Sequence, residues 1–123
     1  MVEIGIFKHS KDAVPVAAGE VLFNQGDAGA EMFAVVEGEI DLVRDATTIE
    51  TVAAGGIFGE MALIDTSPRG ASARARTAAR VVRVDKNQFT FLVQEHPTFA
   101  LLVMKVMAER IRRTNAAAPD RAG

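Results

Sequence analysis

Phe58-Gly59-Glu60-Met61-Ala62-Leu63-Ile64-Asp65-Thr66-Ser67-Pro68-Arg69-Gly70-Ala71-Ser72 is the stretch around which the rest of the chain is organised. It joins a glycine-led acidic start, a short apolar turn, a Thr-Ser-Pro turn, one arginine and three small residues. Gly55, Gly56 and Gly59 allow a sharp bend and close approach to a ligand. Glu60 to Leu63 can open one helical turn, whose free N–H groups suit an anion. Arg69 presents a planar fork of donors able to take two phosphate oxygens at once. Gly70, Ala71 and Ser72 are small enough to let an anion reach the backbone amides. Glu60 is the odd member, because a carboxylate repels a phosphate. It makes chemical sense where it accepts a hydrogen bond from another part of the ligand, such as a sugar hydroxyl.

The run resembles the phosphate-binding cassette of cyclic-nucleotide-binding domains, which reads approximately F-G-E-[LM]-[AS]-L-[IL]-x-x-x-P-R-x-A-[TS]. That family includes the catabolite activator protein, the regulatory subunits of cAMP-dependent protein kinase and the cyclic-nucleotide-gated channels. Phe58 to Ile64, Pro68, Arg69, Ala71 and Ser72 match, and the Glu60-to-Arg69 spacing is that of the kinase and channel branch. Gly19 to Phe23 with Gly26-Asp27, and Met32 to Ile40, fit as upstream landmarks, so the resemblance covers roughly residues 14 to 115. It implies a β-roll, or jelly roll, with C-terminal helices and the cassette between strands. It also implies a cyclic-nucleotide sensor rather than an enzyme. Glu60 would accept from the ribose 2′-hydroxyl, Arg69 would hold the cyclic phosphate, and Phe58, Gly59, Met61, Ala62, Gly70 and Ala71 would complete the contacts. Gly70 lacks the hydroxyl that often reaches guanine in cGMP-selective members, which favours cAMP over cGMP. Leu42, Ile49 and Val52 are candidate sugar or base walls that also read as ordinary core. Arg110, Arg113 and Thr114 stand where a lid over the base is expected, although a solvated face is the better account of Arg112 and Arg113.

Composition is consistent with this class. The 123 residues suit one domain, taken as residues 1–115 with a frayed tail at 116–123, and 49% are hydrophobic against 24% charged. A net charge of −2 supplies no basic field for nucleic acid, and the absence of cysteine removes disulfides and thiolate chemistry. No run is long and apolar enough to span a bilayer, which points to a cytoplasmic protein without membrane contact. His9 and His96 are isolated, with no metal spacing and no nucleophile–base pair. An enzyme or a DNA-binding regulator is therefore disfavoured.

Periodicity supplies the remaining elements. Val2, Ile4 and Ile6 alternate with Glu3 and Gly5 as in a short strand, which leaves little room for the helices the family carries ahead of the roll. Val14–Val16 and Val21–Phe23 predict two strands around a turn. Met32 to Val36, Ile40 to Arg44, Ile49 to Val52, Ser72 to Ala75 and Val81 to Asp85 predict further strands, which is the rhythm of a rolled antiparallel sheet. Asp85 predicts a helix cap over residues 87–93, and Pro97 opens a second helix over residues 98–114. Phe99, Leu102, Val103, Val106, Met107 and Ile111 form its stripe, with Leu101, Met104 and Ala108 off it. That surplus marks either a candidate homodimer seam through the C-terminal helix or simply a well-buried helix, and the pattern favours neither. Binding would move the C-terminal helices and signal to a protein partner that the sequence does not identify. The alternative is a fold of this type acting as a scaffold without nucleotide.

Overall fold

The computed structural model describes residues 5–65 and 67–116. Among these residues, eight strands form two four-stranded antiparallel sheets, accompanied by three α-helices. The strands are β1 (Val14–Val16), β2 (Val21–Phe23), β3 (Glu31–Glu37), β4 (Glu39–Arg44), β5 (Thr47–Ala53), β6 (Ile57–Phe58), β7 (Ser72–Ala75) and β8 (Ala79–Asp85). The helices are α1 (Met61–Ile64), α2 (Lys86–Glu95) and α3 (Pro97–Ala116). One sheet runs β1-β8-β3-β6 and the other β2-β7-β4-β5, so the chain crosses between them repeatedly as a roll.

Strand alternation builds two cores from one sheet. Phe33, Val35 and Val81 point into the roll, where they meet Ile40, Leu42, Val52, Phe58, Ala73 and Ala75. Met32, Ala34, Val82 and Val84 point the other way and pack on Phe99, Val103 and Val106 of α3. This is the period of two expected of a sheet buried on both faces. Local signals hold the ends. Asp85 accepts from the Gln88 amide at 2.8 Å and its own amide donates to Gln88 Oε1 at 2.9 Å, a complete capping box for α2. Pro97 starts α3, where its missing N–H leaves no helix bond unmade.

Several expectations are corrected. Gly5–Phe7 is a 3-10 turn rather than a strand, and Phe7 packs edge-on against Phe99 at 5.9 Å between ring centroids. Residues 1–4, on which Val2 and Ile4 fall, lie outside the described residues, as do residues 117–123 of the expected tail. The backbone of Ala116 belongs to α3. β1 and β2 do not pair with each other: β1 joins β8 and β2 joins β7, so the turn between them is a crossover between sheets. β6 is an addition to the expected strands, because two residues carry no periodic signal. Ile111 is exposed, off the buried stripe of α3.

Candidate functional site

Glu60 and Arg69 are the buried charged residues of the described chain, at 4% and 8% exposure. A buried charge costs several kcal/mol unless something compensates it. Each is held in place by different elements.

Arg69 follows the α1 turn, and its backbone is fastened to the loop between β2 and β3. Its amide donates to Asp27 O at 2.8 Å, and its carbonyl accepts from the Gly26 amide at 2.8 Å. The side chain then turns inward. Nη2 donates to Glu31 O at 2.8 Å and Nη1 to Gly59 O at 3.1 Å, while the guanidinium lies 4.1 Å over the Phe23 ring. Nε is buried and has no partner. Burial lowers the pKa of this guanidinium, and the charges of Glu31, Glu60 and Asp27 oppose that shift only in part. Two glycines make room for it. A Cβ on Gly29 would lie 2.3 Å from Nε, and one on Gly59, already at φ +77, would lie 2.8 Å from Nη1.

Glu60 is the N-cap residue of α1 but makes no side-chain cap bond. Its carboxylate is instead ion-paired with Nη1 of Arg110, fifty residues away on α3. Arg110 also donates Nε to Glu50 Oε1 at 2.8 Å, Nη2 to Glu50 Oε2 at 3.0 Å, and Nη2 to Ile57 O at 2.6 Å. Arg113 reaches Glu50 Oε1 at 2.9 Å. Burial pulls the Arg110 pKa down, but the hydrogen bonds and charges of Glu50 and Glu60 outweigh it and the value is raised. Burial likewise works to raise Glu50, but Arg110 and Arg113 hold its carboxyl below the usual range.

The expected residues divide accordingly. Gly59, Glu60, Arg69 and Arg110 come together. Phe58 is wholly buried, stacked on Phe33 at 5.1 Å, so its ring belongs to the core. Ala62 is buried and Met61 half exposed on α1. Gly70 is exposed and its carbonyl accepts from Arg44 Nε at 3.0 Å, while Ala71 packs on the roll core. Leu42 and Val52 are core residues, and Ile49 is 40% exposed on the outer face. Arg113 is ion-paired though half exposed, and the Thr114 side chain lies outside the described residues. Glu50 is the member that sequence reasoning missed. A signal was present: it shares strand parity with Val52 and so faces inward, where a carboxylate is out of place. Glu50, Val52, Gly56, Ile57, Val106 and Arg110 line a narrow cleft beneath α3. A wide depression of about 530 Å³ along the β1–β8 edge, beside Pro15, Val16 and Ala79, holds none of these residues. Among the described residues no group of three or more His, Cys, Asp or Glu is placed to hold a metal ion, and no helix is long and apolar enough to cross a membrane.

Residues 13–96 match the model of the cyclic nucleotide-binding domain. The chain belongs to the cyclic nucleotide-binding domain family. It is 35% identical over 95 residues to a cyclic nucleotide-gated potassium channel of Rhizobium etli, covering 77% of this chain and 26% of the channel. It is 26% identical over 102 residues to a CRP-like cAMP-activated global transcriptional regulator of Mycobacterium tuberculosis, covering 79% and 46%. A solved structure from a cyclic-GMP-dependent signalling pathway that regulates bacterial phytopathogenesis superposes with a TM-score of 0.72 at 30% identity, covering 81% of this chain and 84% of that one. The chain thus spans less than half the length of the curated relatives it matches. The roll, the cassette and the terminal helices are those of a regulatory binding domain.

Proposed function

We propose that this domain binds a cyclic nucleotide, with cAMP favoured over cGMP, and reports occupancy through α3. The observation that carries the reading is the burial of Glu60 and Arg69 together. Arg69 keeps a buried Nε without an acceptor, and a bound cyclic phosphate supplies one. Glu60 would accept a sugar hydroxyl, and the amides of Met61, Gly70 and Ala71 would face the anion, whereas the Ala62 amide donates to Gly59 O at 3.3 Å. Phe58 contributes by anchoring the cassette to the core. Arg110 joins α3 directly to Glu60, so a change in the hydrogen bonding of Glu60 is felt by the terminal helix. No catalytic group is assigned, and the unit is read as one domain over residues 1–115 acting in the cytoplasm. The preference for cAMP rests on Gly70, which offers guanine no hydroxyl.

Output goes to a protein partner. The relatives differ in what accompanies this domain, a channel in one and a transcriptional regulator in another, so the chemistry of the partner is set outside it. Leu101, Met104 and Ile111 are 63%, 52% and 58% exposed, and with Ala108 they follow a 3-4-3 spacing along α3. That spacing suits the seam of a paired helix, and we propose a second copy as its occupant. Sedimentation that stays monomeric at high concentration, with and without nucleotide, removes this pairing.

Calorimetric titration with cAMP and cGMP, on the native chain and on Arg69→Leu, tests the function. Heat with cAMP that is lost in the variant is the expected result. No heat and no thermal shift with either nucleotide overturns the sensor reading and leaves the scaffold alternative.

A further inference from the structure

Glu50 is a carboxylate that the sensor reading leaves without a task. It comes from β5 on the inward parity, and two arginines hold it: Arg110 at 2.8 and 3.0 Å, and Arg113 at 2.9 Å. With Glu60 the cluster contains two carboxylates and two guanidinium groups, so its formal charge balances.

The division of Arg110 carries the inference. Its forked Nε/Nη2 edge is spent on both oxygens of Glu50. Only Nη1 is left for Glu60, and it reaches Oε1 alone. Oε2 of Glu60 has no hydrogen-bond partner among the described residues. Guanidinium groups favour two-point contact with a carboxylate. Without Glu50, the nearest carboxylate for the fork of Arg110 is Glu60, and a two-point pair there would occupy both of its oxygens.

We propose that Glu50 is a positioning residue for sugar recognition: by taking the fork of Arg110, it keeps one Glu60 oxygen free to accept the ribose 2′-hydroxyl. Arg113 supports the arrangement by pairing with the same Glu50 oxygen, Oε1, that Arg110 Nε contacts. The proposal rests on the reading of Glu60 as the sugar acceptor. It differs from a simple docking role for α3, because docking affects every nucleotide alike, whereas positioning affects only the hydroxyl.

The test is calorimetric titration of cAMP and 2′-deoxy-cAMP into the native chain, Glu50→Gln and Glu50→Ala. In the native chain, loss of the hydroxyl weakens binding roughly tenfold or more, the worth of a hydrogen bond to a charged acceptor. In the variants that ratio falls below about threefold, while 2′-deoxy-cAMP binds within about threefold of its native affinity. The glutamine substitution keeps the side-chain volume, so it reports even where the alanine variant fails to fold, and 2′-deoxy-cAMP binding itself certifies the fold. A tenfold ratio that persists in the variants overturns the proposal and leaves Glu50 as a docking residue. A native chain that binds both nucleotides equally overturns the role of Glu60, and the proposal with it. A native chain that binds neither overturns the sensor reading as well.

Discussion

Replacing Gly29 with alanine puts a single carbon into the space held by the Arg69 guanidinium. The new Cβ would lie 2.3 Å from Nε, 2.5 Å from Cζ and 2.6 Å from Nη2, where ordinary contact begins near 3.4 Å. The guanidinium must therefore retreat by about 1.1 Å, the difference between 3.4 and 2.3 Å, or the loop must move by as much. It is poorly placed to do so. Phe23 lies 4.1 Å beneath it, its Nη2 and Nη1 are bound to Glu31 O and Gly59 O at 2.8 and 3.1 Å, and the backbone of residue 69 is tied to residues 26 and 27. A displacement of this size carries at least one of those bonds, or its equivalent to a phosphate oxygen, out of reach. A hydrogen bond to a charged group is worth about 1.5–3 kcal/mol, which is roughly 10- to 150-fold in affinity at 298 K. Gly29 does not have a positive φ, so alanine adds no backbone strain and the loss is steric. Calorimetric titration with cAMP, beside urea unfolding of the same protein, separates lost binding from lost folding. Gly29→Ala binding within twofold of the native chain would refute the claim that Arg69 is fixed where it must meet the ligand.

Three further outcomes follow from local geometry. Ala46 closes the β4–β5 turn at φ +66, so Ala46→Gly should raise stability by about 0.5–1 kcal/mol, the left-handed penalty less the entropy glycine adds; an unchanged urea midpoint contradicts this. Asp85→Ala removes the side-chain acceptor of the α2 capping box and should cost about 1 kcal/mol, with faster amide exchange in the first turn of that helix. Glu50, held below the ordinary carboxylate value of 4.5 by Arg110 and Arg113, stabilises the fold above that value and loses the contribution as pH falls through its depressed folded value. The melting gap between the native chain and Glu50→Gln is therefore full at pH 7 and closes in acid, and a gap independent of pH denies the ion pairs their role.

Two kinds of contact hold α3 against the roll. Phe99, Val103 and Val106 fix α3 on the β1-β8-β3-β6 sheet by apolar contact, whereas Arg110 and Arg113, one and two turns further on, are held by ion pairs with Glu50 and Glu60. Apolar packing changes little when a hydrogen-bonding ligand enters. The ionic end is where a hydroxyl or a phosphate can redistribute the bonds. Movement is therefore expected to concentrate beyond residue 106, beside the exposed Ile111.

By itself the sequence determined most of what depends on neighbours a few residues apart, with the Gly5–Phe7 turn as an exception. The cassette, the alternation of β3 through β5 and β8, the Asp85 cap and the Pro97 helix start were all legible, because strand parity and helix caps act over two to four positions. Glu60 and Arg69 were legible for the same reason, since the residues around them form one continuous motif. Only the tertiary structure decided which sheet β1 and β2 join and that Ile57–Phe58 is a strand. It alone brought Arg110 to Glu60 and Glu50 across fifty and sixty residues. Contacts that distant exist only once the roll has closed and α3 has docked on its outer face. No local pattern encodes them, because their partners are chosen by the folded surface rather than by the chain.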